Sequence, residues 1–160
     1  MNKELVQNIN KELENNTTQE VIEYFLTKFK NVKLSSSLAA EDQVLTDIIL
    51  KQDKNATIFT LDTGRLHPET YDVMDATNLK YGVKIDVFFP QNEKVQELYQ
   101  NQGVNGHYES IENRKACCNI RKIEPLKRAL KDAEVWITGL RASQSVTRVD
   151  MPLVEWDENF

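Results

Sequence analysis

Three short strand-like segments constrain the fold most: Ala56–Leu61, Val83–Phe89 and Val135–Gly139. Each is rich in β-branched or aromatic residues, and each breaks off into a polar loop or a proline. Ala56–Leu61 reads as a buried strand, because a strand covered on both faces shows no polar alternation. The stretches between them have helical spacing. Val44, Leu45, Ile48 and Ile49 form an expected buried face for a helix over Ala40–Lys51. Pro68 sits where a helix tolerates a missing N–H, in its first turn. Further helices are expected over Glu93–Gln100, ending near Gly103, and over Lys122–Asp132. Strands that alternate with helices predict an α/β fold with a mostly parallel sheet flanked by helices.

Two amphipathic helices precede this pattern. Leu5, Ile9 and Leu13 mark the first. Thr17 and Glu20 form a T-x-x-E capping box ahead of the second, which carries Val21, Ile22, Phe25, Leu26 and Phe29. Asn31–Ser35 is a short candidate strand that enters a serine loop. The 160 residues are expected to form a single domain, 1–160, whose last segment closes no architectural unit. A content of 40% hydrophobic and 28% charged residues suits a globular protein with a core. The formal net charge of -5 argues against nucleic-acid binding by bulk charge. No apolar run has the length of a membrane span, and the polar N-terminus lacks a secretory pattern. The two cysteines are neighbours and cannot supply a disulfide framework, so a cytoplasmic protein is expected. Assembly into a homo-oligomer is left open.

Three strand ends carry the chemistry. Ser35-Ser36-Ser37-Leu38 lies between a strand and a helix, where small residues let backbone N–H groups approach a phosphate and hydroxyls add donors. Taken alone, a serine triplet is an ordinary loop. The second strand ends in Leu61-Asp62-Thr63-Gly64-Arg65, in which Gly64 permits a tight turn and Arg65 can clamp an oxyanion. Asp62 can accept from a ribose hydroxyl or brace the loop. The strand at Val135–Gly139 passes into a loop with Arg141 and Arg148, both suited to oxyanions. In open α/β sheets, ligands sit at the carboxyl ends of strands. Three such ends with cationic or hydroxyl-rich loops point to a phosphorylated or sulfated ligand.

The segment from Arg114 to Lys131 has seven lysines or arginines against one acid, Glu124, in an otherwise acidic chain. It holds Cys117 and Cys118. Adjacent cysteines pair poorly with each other. They can be two small buried residues, or two thiolates offered to a metal or cluster. His107 adds a third ligand type, but the spacing fits no common zinc pattern.

The segments SSSLAAED, LDTGRLHPETY, CCNIRKIEPLKRAL and WITGLRASQSVTR, in this order, resemble the successive motifs of the sulfonucleotide reductase family. The resemblance covers Ser35 to Arg148. It implies an adenine nucleotide α-hydrolase-like fold, related to the ATP pyrophosphatases, whose S-G-G-x-D-S loop differs from the serine loop here. Tandem cysteines resemble the adenylyl sulfate (APS) reductases more than the 3′-phosphorylated (PAPS) type. The resemblance then implies that Cys117 and Cys118 are two of four ligands of a [4Fe-4S] cluster, and that Lys122 stabilises sulfate charge. It places Ser35, Ser36, Ser37, Asp42, Leu61, Gly64, Arg65, Gly139, Arg141 and Arg148 at the nucleotide and phosphosulfate. The implied reaction reduces adenylyl sulfate to sulfite and AMP with thioredoxin. The family also carries a later C-x-x-C and a nucleophilic cysteine that these residues lack. The expectation is therefore a C-terminally truncated chain with a nucleotide pocket, an incomplete cluster and little turnover. Alternatives are a PAPS reductase, a pyrophosphatase-like adenylating domain, or a non-catalytic nucleotide-binding domain.

Overall fold

A computed structural model describes residues 3–141 and 151–160. The chain divides into two compact units. One comprises residues 1–57 with 132–160, the other residues 58–131.

The first unit begins with α1 (Lys3–Glu12) and α2 (Thr18–Lys28). The expected capping box is present: the Glu20 N–H donates to the Thr17 hydroxyl, and the Thr17 N–H donates back to the Glu20 carboxylate at 2.7 Å. The Thr17 N–H and the Thr17 hydroxyl, both donating to the Glu20 carboxylate, hold it below its ordinary pKa. Strand β1 (Val32–Ser35) pairs in parallel with β4 (Val135–Thr138), Leu34 opposite Ile137 and Ser35 opposite Thr138. Ile9, Leu13, Phe25 and Val32 form a buried cluster against which Val135, Ile137 and Val154 pack. Asn10 fastens the last segment to α1 from both sides of its amide. It donates to the Val154 carbonyl at 2.7 Å and accepts from the Val154 N–H at 3.0 Å.

Helix α3 (Ala40–Gln52) follows β1. Its buried residues are Asp42, Thr46, Ile49 and Leu50, while Val44 is exposed. The expected face was therefore rotated. An inward carboxylate at Asp42 sets the register, and 42, 46, 49 and 50 share one helical stripe.

The second unit carries most of β2 (Thr57–Leu61), then α4 (Pro68–Tyr81), β3 (Asp86–Phe88) and α5 (Asn92–Gln102). Strands β2 and β3 are parallel, with Leu61 opposite Phe88. β3 is shorter than the expected strand over Val83–Phe89. The Val83 N–H donates to the Asn78 carbonyl and the Ile85 N–H to the Asn78 side chain, so the ladder starts only at Asp86. Pro68 occupies the first turn of α4, as expected. No helix among the described residues is long and apolar enough to cross a membrane.

The basic segment is more helical than its sequence suggests. Helix α6 (Ile111–Cys118) runs into a π-turn (Asn119–Ile123) and then α7 (Glu124–Leu130). Pro125 has no N–H to give the preceding turn, and the wider turn absorbs that loss, with the Glu124 N–H reaching the Asn119 carbonyl. Arg128 bonds both the Glu124 carboxylate and the Phe89 carbonyl, which ties α7 to the end of β3.

Candidate functional site

In the first unit the serine loop is built around Asp42. One oxygen of that carboxylate, Oδ2, accepts from the Ser37 N–H and from the Ser37 hydroxyl, each at 2.6 Å. Ser36 is buried, and its hydroxyl accepts from the Leu38 N–H at 3.1 Å. Leu38 takes the left-handed backbone conformation, φ 65°, which costs a residue with a Cβ about 1–2 kcal/mol. That strain turns the chain sharply into α3. Ser35 accepts from the Trp136 indole N–H at 2.7 Å, across the β1–β4 pair.

The loop's donors are thereby sorted. The Ser37 and Leu38 amides are used inside the loop. Ser35 and Ser36 serve as acceptors, and each keeps a hydroxyl hydrogen to donate. Ala39 supplies no capping side chain, and the positive dipole end of α3 lies beside these hydroxyls. Such a surface suits an oxyanion.

Gly139, just after β4, belongs to the same construction. A Cβ there would overlap Oδ1 of Asp42 and crowd the Glu41 side chain. Only glycine lets the strand end pass beside the carboxylate that organises the loop. Arg141 is ion-paired with Glu41 and largely exposed. Arg148 lies outside the described residues.

In the second unit, β2 ends at Leu61, which is half-buried. Asp62 is buried and fully engaged: Oδ1 accepts from the Gly64 N–H at 2.8 Å, and Oδ2 accepts from the Tyr71 hydroxyl at 2.8 Å. Of the two roles open to it, bracing the loop is the one the geometry shows. The bond to Asp62 raises the Tyr71 phenol above its ordinary pKa. Gly64 has φ 71°, so the turn needs glycine on backbone grounds. Arg65 is exposed and donates to the Val104 carbonyl and the Asn105 side chain.

Cys117 and Cys118 are free thiols, half-buried, on the last turn of α6. Lys122 is exposed on the π-turn. Two adjacent thiols offer half the ligands of a four-thiolate cluster. The described residues contain no group of three or more His, Cys, Asp or Glu that could hold a metal ion. The described residues do not complete such a site. Cys117 lines a shallow depression with Arg65, Tyr99, Gln102, His107 and Arg121. Arg121 is the residue that sequence reasoning passed over. It counted as one charge in a basic run, yet it is buried in the fold. Its signal was position, one helical turn beyond Cys117.

Parallel strands with an oxyanion-suited loop at a strand end define a nucleotide-binding type of α/β domain. Residues 31–160 match the model of the phosphoadenosine phosphosulfate reductase domain, and the chain belongs to that family. It is 50% identical over 127 residues to an adenosine 5′-phosphosulfate reductase of Burkholderia cepacia, covering 79% of this chain and 51% of that protein. It is 42% identical over 138 residues to the enzyme of the same name from Allochromatium vinosum, covering 86% and 54%. A chloroplastic 5′-adenylylsulfate reductase of Arabidopsis thaliana is 40% identical over 151 residues, 94% of this chain and 32% of that protein. The chain thus spans about half the length of the bacterial relatives. The crystal structure of a phosphoadenylyl-sulfate reductase from Candida auris, in a phosphate complex, superposes with a TM-score of 0.79 at 24% identity. It covers 99% of this chain and 75% of that one, and it establishes the adenine nucleotide α-hydrolase-like fold.

Proposed function

We propose that these residues form the nucleotide-binding part of a thioredoxin-dependent adenylyl sulfate reductase of sulfate assimilation, acting in the cytoplasm. The observation that carries the reading is the serine loop. Asp42 and Gly139 hold it in shape, and its remaining hydroxyl donors lie beside the N-terminus of α3. The names of the relatives at 40–50% identity favour adenylyl sulfate over its 3′-phosphorylated form.

On this reading Ser35 and Ser36 donate their hydroxyls to the α-phosphate and Ser37, bound to Asp42, shapes the loop around it, while Leu61, Gly64, Arg65, Gly139, Arg141 and Arg148 serve the nucleotide and its sulfate. Asp42 acts through Ser37. The reaction has two steps. A cysteine thiolate attacks the sulfate sulfur, the S–O bond to the phosphate breaks, and AMP leaves with that electron pair. The S-sulfocysteine is then reduced by the thioredoxin dithiol, which becomes a disulfide as sulfite departs. Cations such as Lys122 lower the cost of charge on the sulfate and the leaving AMP. Cys117 and Cys118 are assigned to a [4Fe-4S] cluster whose other two ligands these residues do not contain, and neither is assigned as the nucleophile.

Calorimetry on the 160-residue chain tests the proposal. Saturable binding of adenylyl sulfate and AMP, tighter than PAPS, is expected, with no pyrophosphate release from ATP. Binding of none of the three nucleotides, or ATP cleavage, overturns it.

A further inference from the structure

We infer that Arg121 is a positioning residue that fixes the Thr63–Gly64–Arg65 turn for an oxyanion, linking that turn to the helix that bears the cysteines. The inference rests on the nucleotide-binding reading above and adds to it a residue that no strand-end motif contains.

Arg121 is 4% exposed, an uncommon state for a guanidinium. Its Nη1 donates to the Thr63 carbonyl at 2.6 Å. The same nitrogen lies 3.3 Å from where a Gly64 Cβ would stand. Its Cζ lies 5.2 Å from the centroid of the Tyr99 ring, so the cation is seated on α5. The π-turn supplies the side chain from the segment that directly follows Cys117 and Cys118. Three parts of the second unit therefore meet at one charge.

The arrangement costs free energy, which asks for a reason. Nε and Nη2 are buried and have no hydrogen-bond partner among the described residues. A buried donor left unmet is destabilising, and an apolar residue of similar shape would avoid it. The neighbouring turn gives the reason. Gly64 has its N–H bound by Asp62 from one side, and the carbonyl before it bound by Arg121 from the other. Those two bonds fix the Thr63–Gly64 peptide, one residue ahead of Arg65. With Arg121 removed, the turn keeps only the Asp62 bond, and Arg65 starts from a less ordered backbone. Preorganised donors bind an anion more tightly than donors that must first be ordered.

The test combines amide hydrogen exchange with AMP calorimetry on the 160-residue chain, for wild type, Arg121→Met and Arg121→Lys. For Arg121→Met, exchange over residues 62–66 is expected to accelerate at least tenfold, with the β1–β4 pair unchanged, and AMP affinity to fall about tenfold. Arg121→Lys keeps one donor for the Thr63 carbonyl and is expected to recover most of the protection and part of the affinity. Wild-type exchange and affinity in a folded Arg121→Met protein overturn the inference. Should Arg121→Met fail to fold, Arg121→Lys decides. An affinity between tenfold-weakened and wild type supports the inference, and an Arg121→Lys protein that is folded but as unprotected as random coil over residues 62–66 overturns it. Should wild type bind no AMP, adenylyl sulfate replaces it in the calorimetry; should it bind none of the three nucleotides, the nucleotide reading fails by itself, and the exchange data alone judge the role of Arg121.

Discussion

Gly139→Ala is the substitution that most sharply probes how the serine loop is held. Gly139 is absent from the left-handed backbone positions, so alanine suits its backbone, and on that ground alone would be neutral or mildly stabilising. The cost comes from Asp42, whose Oδ1 lies where the new methyl must go. The carboxylate has to swing away, and its two bonds to Ser37, both 2.6 Å, go with it. Hydrogen bonds to a charged group contribute about 1.5–3 kcal/mol each. Ser37 is exposed and recovers water, so a net loss of about 2–4 kcal/mol is expected. Urea unfolding followed by tryptophan fluorescence measures it, since Trp136 bonds to the same loop at Ser35. The decisive arm is a double-mutant cycle with Asp42→Ala. Once the carboxylate is gone, the methyl meets no obstacle from it, and Gly139→Ala should add less than about 1 kcal/mol. Additive losses, or a single variant within about 0.5 kcal/mol of wild type, would refute the reasoning.

Other expectations follow from the same contacts. Glu134 accepts from the Lys30 and Asn31 N–H groups, which lower its carboxyl pKa. Its contribution to stability is present above the unfolded value, about 4.3, and is lost as pH falls through the lower folded value. Wild type and Glu134→Gln should therefore differ in urea midpoint at pH 7 and converge as pH falls through the lowered folded value, and a gap independent of pH contradicts this. In an ultraviolet titration Asp62→Asn should bring the Tyr71 phenol back down toward about 10, and an unchanged titration counts against the brace. Trp136→Phe keeps a ring near Phe160 but loses the donor to Ser35, with an expected cost of about 1 kcal/mol in unfolding free energy. Assayed with adenylyl sulfate and thioredoxin, the 160-residue chain should release little or no sulfite, and normal turnover would show that its residues include the nucleophile.

β2 and β4 were legible as short apolar, β-rich runs and β3 as a β-rich segment despite Lys84 and Asp86, whereas β1, Val32-Lys33-Leu34-Ser35, offered only a two-residue alternation. Capping at Thr17 and the first-turn proline at Pro68 were equally plain, being local chemistry. Helix α6 was not legible. Its residues, Ile111–Cys118, include none that is buried, so no apolar stripe betrays it. Ser110 starts it by accepting from the Asn113 N–H. Register failed in α3 for a related reason. Val44 is the more apolar choice, but Asp42 is drawn inward by Ser37, and a buried polar contact leaves no trace in hydrophobic periodicity. At the site, the motifs gave Gly64 and Gly139 their places, whereas the reason for Gly139 needed a three-dimensional neighbour. Arg121 was hidden for the same cause, since a basic run does not say which of its charges turns inward.

The central claim is that the loop at the end of β1 holds an adenine nucleotide by its phosphate. Amide chemical-shift mapping of the 160-residue chain during titration with adenylyl sulfate tests it most directly. Saturable shifts are expected, centred on Ser35–Leu38, on the first turn of α3 and on Gly139, all weakened in Asp42→Ala. Shifts that avoid this loop, or that persist unchanged in that variant, would contradict it.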